Sequence, residues 1–457
     1  MSATTRKIIA LTFIAVFAVT APAVVLLTSG YRFNIGKNRL ERTGTLYIST
    51  EPAGAVVSID GNIQTERTPA SLVQLLPEEY FVELTRPGYL PWSKRLAVES
   101  GRTTFVKDQR LLRDVLPRSV HLADIRASAF SADGLRVALL THTGGWLELT
   151  VLELEELRTE TLARFSPQGF RSAGLSWSAD DGLLLLDIRT DGDRREIREL
   201  LVYPLTDGRD GPMALHDRLP ELLPGSPRWS PQDSRLVLLT QVGTFVWDAT
   251  DNTMTAVTFS TRIQDALFAA DRLLLIRQDE QGRPYLLETV PGELRLSATE
   301  PLPLPTGTDR LVTTAGQGVI AADSVTGSAI TVDLTDGQVS DTADALGASL
   351  ERGADDRLLL WNDFQIAIAR NDGSDHYVVT RVSDTVSGCS WHPGGQYVLY
   401  ATPKKLRAIE LDGRDRRNAY TLAKFDEILD FSLDPSGELL RLIGKIGNQT
   451  GLFEREL

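Results

Sequence analysis

The sequence has almost no thiol chemistry. Cys389 is the one cysteine in 457 residues, so no disulfide can form within the chain. Its setting in Ser387-Gly388-Cys389-Ser390-Trp391 reads as strand, which makes it a buried structural thiol; a reactive one would need exposure and a nearby cation. Histidine is nearly as scarce. His121, His142, His216, His376 and His392 are dispersed with no ligand spacing, so no metal is expected. No Gly-rich loop carries the Gly-Lys-Ser/Thr that cradles phosphate, and no serine stands in a Gly-x-Ser-x-Gly elbow. The Asp-Gly pairs at 133–134, 336–337, 372–373 and 412–413 do not fit a calcium loop and read as turns. Basic charge is in deficit: the net charge is −13, which argues against nucleic acid as a partner. No catalytic residue, cofactor site or metal site is expected.

Charge is also missing from Ile8 to Thr28, a run of 21 residues. As a helix it would span about 31 Å, one hydrocarbon thickness. The reading is an uncleaved single-pass membrane anchor. The rival is a signal peptide, with Arg6-Lys7 as its basic start and Ala21-Pro22-Ala23 as its cleavage site; Val24-Val25-Leu26-Leu27 continues the apolar run past that point. Around the anchor, Arg6, Lys7, Arg32, Lys37, Arg39 and Arg42 face Glu41 alone, so residues 1–42 carry +5 and the rest −18. A basic juxtamembrane stretch suits an anionic lipid surface, and a solvated linker accounts for it equally. Counting Lys and Arg on the flanks favours the bulk of the chain inside. The signal-like layout favours export, and the reading takes the N-terminus as cytoplasmic and the remainder as extracytoplasmic.

Residues 44–112 read as a small all-β sandwich or barrel of five to six strands. Val56-Val57-Ser58-Ile59 and Tyr80-Phe81-Val82-Glu83-Leu84 are strands, and Asp60-Gly61 is a hairpin turn. This segment resembles the PEGA family of bacterial surface modules through Pro52-Ala53-Gly54-Ala55, Val57-Ser58-Ile59-Asp60-Gly61, Thr68-Pro69, Tyr80-Phe81-Val82 and Gly88-Tyr89. It departs from the family pattern at Glu66-Arg67 and Glu79, where glycines are usual. The resemblance implies display or spacing without chemistry.

From residue 113 to 457 a strand–turn phrase recurs. Eight copies begin near Ala129, Leu175, Arg228, Ala266, Arg310, Ser349, Cys389 and Asp430. After each clear copy comes an apolar strand such as Leu183-Leu184-Leu185-Leu186 or Leu236-Val237-Leu238-Leu239, suited to burial on both faces. Four strands per repeat at this period predict a seven- or eight-bladed β-propeller, with eight favoured. Seven would follow if the copy near Arg310 merged with a neighbour. The last repeat has room for three strands, so a fourth is expected from Thr103–Leu122. Trp177, Trp229 and Trp391 recur in register, which suits inter-blade packing better than sugar stacking. The Phe/Trp-Ser-x-Asp-Gly phrase resembles TolB-like propellers of bacterial envelope proteins, a resemblance that implies fold more than function.

The expected organisation is therefore mostly β: residues 1–30 tail and anchor, 31–43 a basic linker, 44–112 the PEGA-like module and 113–457 the propeller. The expected function is a membrane-anchored extracytoplasmic binding or scaffold protein of the cell envelope, with an envelope protein or cell-wall component as partner. The alternative is an envelope hydrolase or lyase with a site in the central channel. The longer connections at Arg189–Arg198, Asp207–Arg218 and Gln278–Pro284 are candidate contacts. Arg189, Asp191, Asp193, Arg194, Arg195 and Arg198 form the candidate partner-binding loop.

Overall fold

The computed structural model describes residues 3–192, 196–205, 211–219, 227–260, 262–290, 301–350 and 357–457. The chain divides into two compact units. One comprises the residues up to Val115 together with Ile409–Ala419; the other comprises Leu116–Ala408 and Tyr420–Leu457.

The first unit opens with a helix, Ala3–Thr28, and its Ile9–Thr28 stretch is long and apolar enough to cross a membrane, with none of it buried against the protein. Thr20 and Thr28 return their hydroxyls to the carbonyls of Val16 and Val24 at 2.9 Å, which removes the cost of a free hydroxyl in an apolar surrounding. The segment read as a linker is instead an antiparallel hairpin, Tyr31–Asn34 with Arg39–Arg42.

Seven strands follow in two sheets. Gly44–Glu51 is central in one, between Ala70–Leu75 and Thr103–Arg110; the other runs Asn62–Arg67, Val56–Ile59, Glu79–Thr85, Trp92–Ala97. Alternation places Leu46 and Ile48, Tyr80, Val82 and Leu84, and Trp92 and Leu96 in one core, as period-2 patterning requires. Asp60 and Gly61 both take positive φ (48° and 81°), which is the turn geometry that an Asp-Gly pair serves. Asn62–Arg67 and Ala70–Leu75 add two strands beyond those read from the sequence. Their residues are mostly exposed, so no alternation marks them.

Lys94 breaks the apolar row of Trp92 and Leu96 and is fully buried. Its ammonium lies 3.2 Å from Glu410 Oε2. It donates to the carbonyls of Asp412, Arg414 and Arg416 at 2.7, 3.0 and 3.2 Å. Trp92 Nε1 donates to Glu410 Oε1 at 2.8 Å, and Asn418 Nδ2 donates to Glu410 Oε2 at 2.8 Å. Residues 410–418 thus wrap one buried cation, which satisfies the charge and hydrogen-bond demands of both partners.

The second unit holds eight four-stranded sheets among the described residues. Each of the eight repeat phrases lies in or at the end of the first strand of a sheet, from Ile125–Phe130 to Glu427–Leu433. The second strands are buried on both faces, and the packing shows why. Leu184 and Leu186 pack with Ala138 and Leu140 of the preceding sheet, whereas Leu183 and Leu185 pack with Leu236 and Leu238 of the following one. Successive residues of one strand thus fill two cores, so the sequence shows a run in place of alternation. The last sheet takes its fourth strand from Arg118–Leu122, which pairs antiparallel with Gln449–Glu456. Thr103–Arg110, the other part of the segment from which that strand was expected, stays in the first unit. The first strand of the last sheet, Glu427–Leu433, lies against that of the first, Ile125–Phe130. These features describe a propeller-like fold.

Candidate functional site

The recurring phrase builds turns and ties between sheets. Ser131 Oγ donates to Asp133 Oδ1 at 2.5 Å, and Arg136 N donates back to Ser131 Oγ at 2.9 Å. Ser178 repeats this with Asp180 at 2.6 Å and Leu183 N at 2.9 Å. Asp181 then reaches the preceding turn and accepts from Ala132 N and Asp133 N at 2.8 and 3.0 Å. The tryptophans act in the same direction. Trp177 Nε1 donates to Ala129 O at 2.9 Å and Trp391 Nε1 to Ser349 O at 3.1 Å, each into the sheet before its own. The guanidinium groups of Arg136 and Arg357 stand 5.0 Å above the Trp177 and Trp391 rings, and that of Arg235 stands 5.2 Å above the Phe268 ring. Each such stack links one sheet to the next by cation–π attraction.

The positive φ of Gly134 (70°) explains the glycine of the phrase, and a Cβ there would stand 2.7 Å from Leu433 O of the last sheet. No other residue combines that φ with that approach at low cost.

First-strand and turn residues of the first sheet and of the last three sheets surround a cavity of about 400 Å³. Ser349, Ser390, Ser432, Asp133, Asp434 and His392 contribute its polar lining. His392 is buried. Its Nε2–H donates to Gly437 O at 3.0 Å, and its Nδ1 accepts from Gly394 N at 2.9 Å, so both ring nitrogens are engaged by backbone. Burial raises the Cys389 thiol pKa well above its ordinary value, as expected of a structural thiol.

Of the candidate partner-binding residues, Arg189, Asp191 and Arg198 lie on paired strands. Leu183–Asp191 pairs with Glu196–Pro204, and Arg189 stands directly opposite Arg198. Arg198 grips Asp187 through two bonds of 2.8 and 2.6 Å, with its side chain only 14% exposed. It is therefore a packing residue of the sheet. Asp191 pairs with Arg171, and Arg189 Nη1 lies 3.6 Å from Glu196 Oε1. Arg171 also approaches Glu196 at 3.5 Å, and no sequence pattern singled it out. Asp193, Arg194 and Arg195 lie outside the described residues. Of the other two candidate connections, Gln278–Pro284 is a tight turn held by Arg283 Nε on Asp279 Oδ2 at 2.7 Å. Asp207–Arg218 is described only from residue 211 onward, where it contains Met213–Ala214 and a short 3-10 turn at His216–Arg218. Among the described residues, no group of three or more His, Cys, Asp or Glu is placed to hold a metal.

No curated protein matches the chain. Among solved structures, the C-terminal WD40 domain of Sif2 is 13% identical at a TM-score of 0.50, with 75% of this chain and 99% of that one covered. The Dos1 propeller is 10% identical at 0.49, with 75% and 94% covered. Sqt1 of Saccharomyces cerevisiae is 10% identical at 0.47, with 75% and 98% covered. At 13% identity the likeness to the Sif2 domain is one of fold. Residues 43–110 match the PEGA domain, so the chain carries a PEGA-domain region and, in its second unit, a β-propeller-like array of small sheets.

Proposed function

We propose that this protein is a membrane-anchored binding or scaffold component of the bacterial cell envelope, with its propeller as the protein-interaction surface. In this reading the N-terminus is cytoplasmic and the PEGA module and propeller are displayed outside. The parts are 1–30, 31–43, 44–112 and 113–457, with 31–43 now a hairpin. The eight sheets are eight blades of a TolB-like ring, closed by Arg118–Leu122. The partner is an envelope protein or a cell-wall component.

The observation that carries the reading is the fate of the recurring residues. Trp177, Trp391, Asp181, Ser131 and Ser178 are engaged between or within sheets. What remains to differ between repeats is the polar surface of the connections, where recognition residues concentrate. Among the described residues, Leu183–Asp191 and Glu196–Pro204 form the longest strand pair of the array, and Arg194 and Arg195 fall between them in sequence. The enzyme alternative would use the serine-lined cavity. Its histidine has both nitrogens committed to backbone, which disfavours a general-base role.

The test is in-cell crosslinking followed by purification of the full-length chain, wild type against the Arg189→Ala/Arg194→Ala/Arg195→Ala triple. Arg198 is kept because it holds Asp187. Loss of a specific crosslinked protein supports the hairpin as the contact. An unchanged set of crosslinks rejects it. Hydrolysis of an envelope substrate by the purified chain, abolished by Asp434→Asn, would replace the binding reading with the enzyme one.

A further inference from the structure

The hairpin Tyr31–Arg42 is amphipathic the wrong way round for water. Its pairs are Tyr31 with Arg42, Arg32 with Glu41, Phe33 with Leu40 and Asn34 with Arg39. Strand alternation therefore puts Phe33 and Leu40 on one face, and Asn34 and Glu41 on the other. On the polar face Asn34 is 6% exposed and Glu41 8%, with Arg32 and Arg39 exposed beside them, whereas on the other face Phe33 is 55% and Leu40 45% exposed, and Ile35, at the turn, 86%. Exposed apolar groups opposite buried polar ones are the informative departure from ordinary burial.

Glu41, the hairpin's one carboxylate, is neutralised where it lies. Asn34 Nδ2 donates to it at 2.8 Å and Arg39 Nε at 2.6 Å. The Asn34 hydrogen bond, the largest influence, holds its carboxyl below the usual range against desolvation by burial, with the Arg39 hydrogen bond and charge adding to the lowering. Arg42, paired with Tyr31, shares the face of Phe33 and Leu40, and Lys37 stands at the turn, 3.6 Å from Glu41 Oε1; Arg32 is on the Glu41 face and donates to Gln74 Oε1 at 2.7 Å. The hairpin also begins where the apolar helix ends. Gly30 N donates to Leu27 O at 3.2 Å. Gly30 O accepts from Thr43 N and from Thr43 Oγ1 at 2.7 and 2.8 Å, so both ends of the hairpin are tied to the helix exit.

We propose that this hairpin lies in the membrane interface, with Phe33, Ile35 and Leu40 at the headgroup–acyl boundary and its cations on anionic phospholipid headgroups. The proposal rests on the reading of the helix as a membrane anchor. Four-residue strands extend about 13 Å, short enough to stay near the headgroup layer when tilted across the surface. Apolar contact and charge act together there, as for other interfacial elements.

The test uses the full-length chain with Cys389→Ala, reconstituted in phosphatidylcholine–phosphatidylglycerol vesicles containing nitroxide-labelled lipid. An environment-sensitive fluorophore is placed on Ile35→Cys or, separately, on Phe17→Cys in the helix. Quenching at both positions is expected. Lys37→Gln/Arg42→Gln should reduce insertion of the Ile35 label by about fivefold per charge removed, and pure phosphatidylcholine should also reduce it. Quenching at Phe17 without quenching at Ile35 overturns the proposal and leaves the anchor standing. No quenching at either position removes the anchor itself. Ile35 quenching equal in neutral and anionic vesicles overturns the assignment to anionic headgroups.

Discussion

The guanidinium of Arg228 stands 3.1 Å from the carboxylate of Asp265, and the two residues together engage the backbone of one residue, Leu311. Arg228 Nη1 donates to Leu311 O at 2.8 Å, and Asp265 Oδ2 accepts from Leu311 N at 2.8 Å. Three consecutive first strands are fastened in this way. Burial raises the Asp265 pKa despite Arg228, and burial likewise lowers that of Arg228. Arg228→Met strands a mostly buried carboxylate and should cost about 3 kcal/mol. Arg228→Met/Asp265→Leu should recover part of that loss. Denaturant titration of the three chains checks the order.

Asp430 occupies the same place after the bulge in Glu427–Leu433 that Asp265 holds in Ile263–Ala269. In the preceding phrase Ser390 stands where Arg228 stands for Asp265. Burial pushes the Asp430 pKa up to about 7, against hydrogen bonds from the backbone of Phe431 and Phe130. The unfolded chain releases this proton near pH 4, whereas the folded chain keeps it until about 7. Its contribution to stability therefore falls as pH rises from 4 to 7 and levels off above that. The loss is on the order of 4 kcal/mol. Asp430→Asn should remove this component, so the stability difference between wild type and variant should change across pH 4–7. A difference independent of pH would contradict the assignment.

Gly134→Ala combines a positive φ with a Cβ placed 2.7 Å from a backbone oxygen, whereas Gly145→Ala has a positive φ and open space. The first should cost about 2–3 kcal/mol and the second about 1 kcal/mol. Thermal melts of the pair separate contact from conformation. Equal losses would mean that the turn is not pressed against Leu433.

Lys94→Met should leave the buried Glu410 without its cation and three carbonyls without their donor. A loss of about 3–5 kcal/mol is expected, with faster tryptic cleavage at Arg414, Arg416 and Arg417. Lys94→Met/Glu410→Leu should be less harmful than the single change.

Repeated local patterns were legible in the sequence. The eight first strands, the doubly buried runs and the Asp60-Gly61 turn follow from short-range periodicity and turn chemistry. The strand from Arg118–Leu122 followed from counting what the last repeat lacked. The wrap of residues 410–418 around Lys94 was not legible, because it joins positions more than three hundred residues apart and a lysine in a strand reads as exposed. The hairpin at Tyr31–Arg42 was missed because its apolar residues face outward, opposite to the pattern that marks a strand in water. Arg198 looked like loop charge until the strand pairing placed it on Asp187.

In the proposed reading Ile9–Thr28 holds the chain in a membrane, with its β units displayed outside. The most direct measurement is protease accessibility of the full-length chain in intact spheroplasts, combined with alkaline carbonate extraction. The chain should remain in the membrane pellet, and the residues beyond Gly30 should be digested without permeabilisation. Release by carbonate, or protection of the propeller until the membrane is broken, would contradict the account.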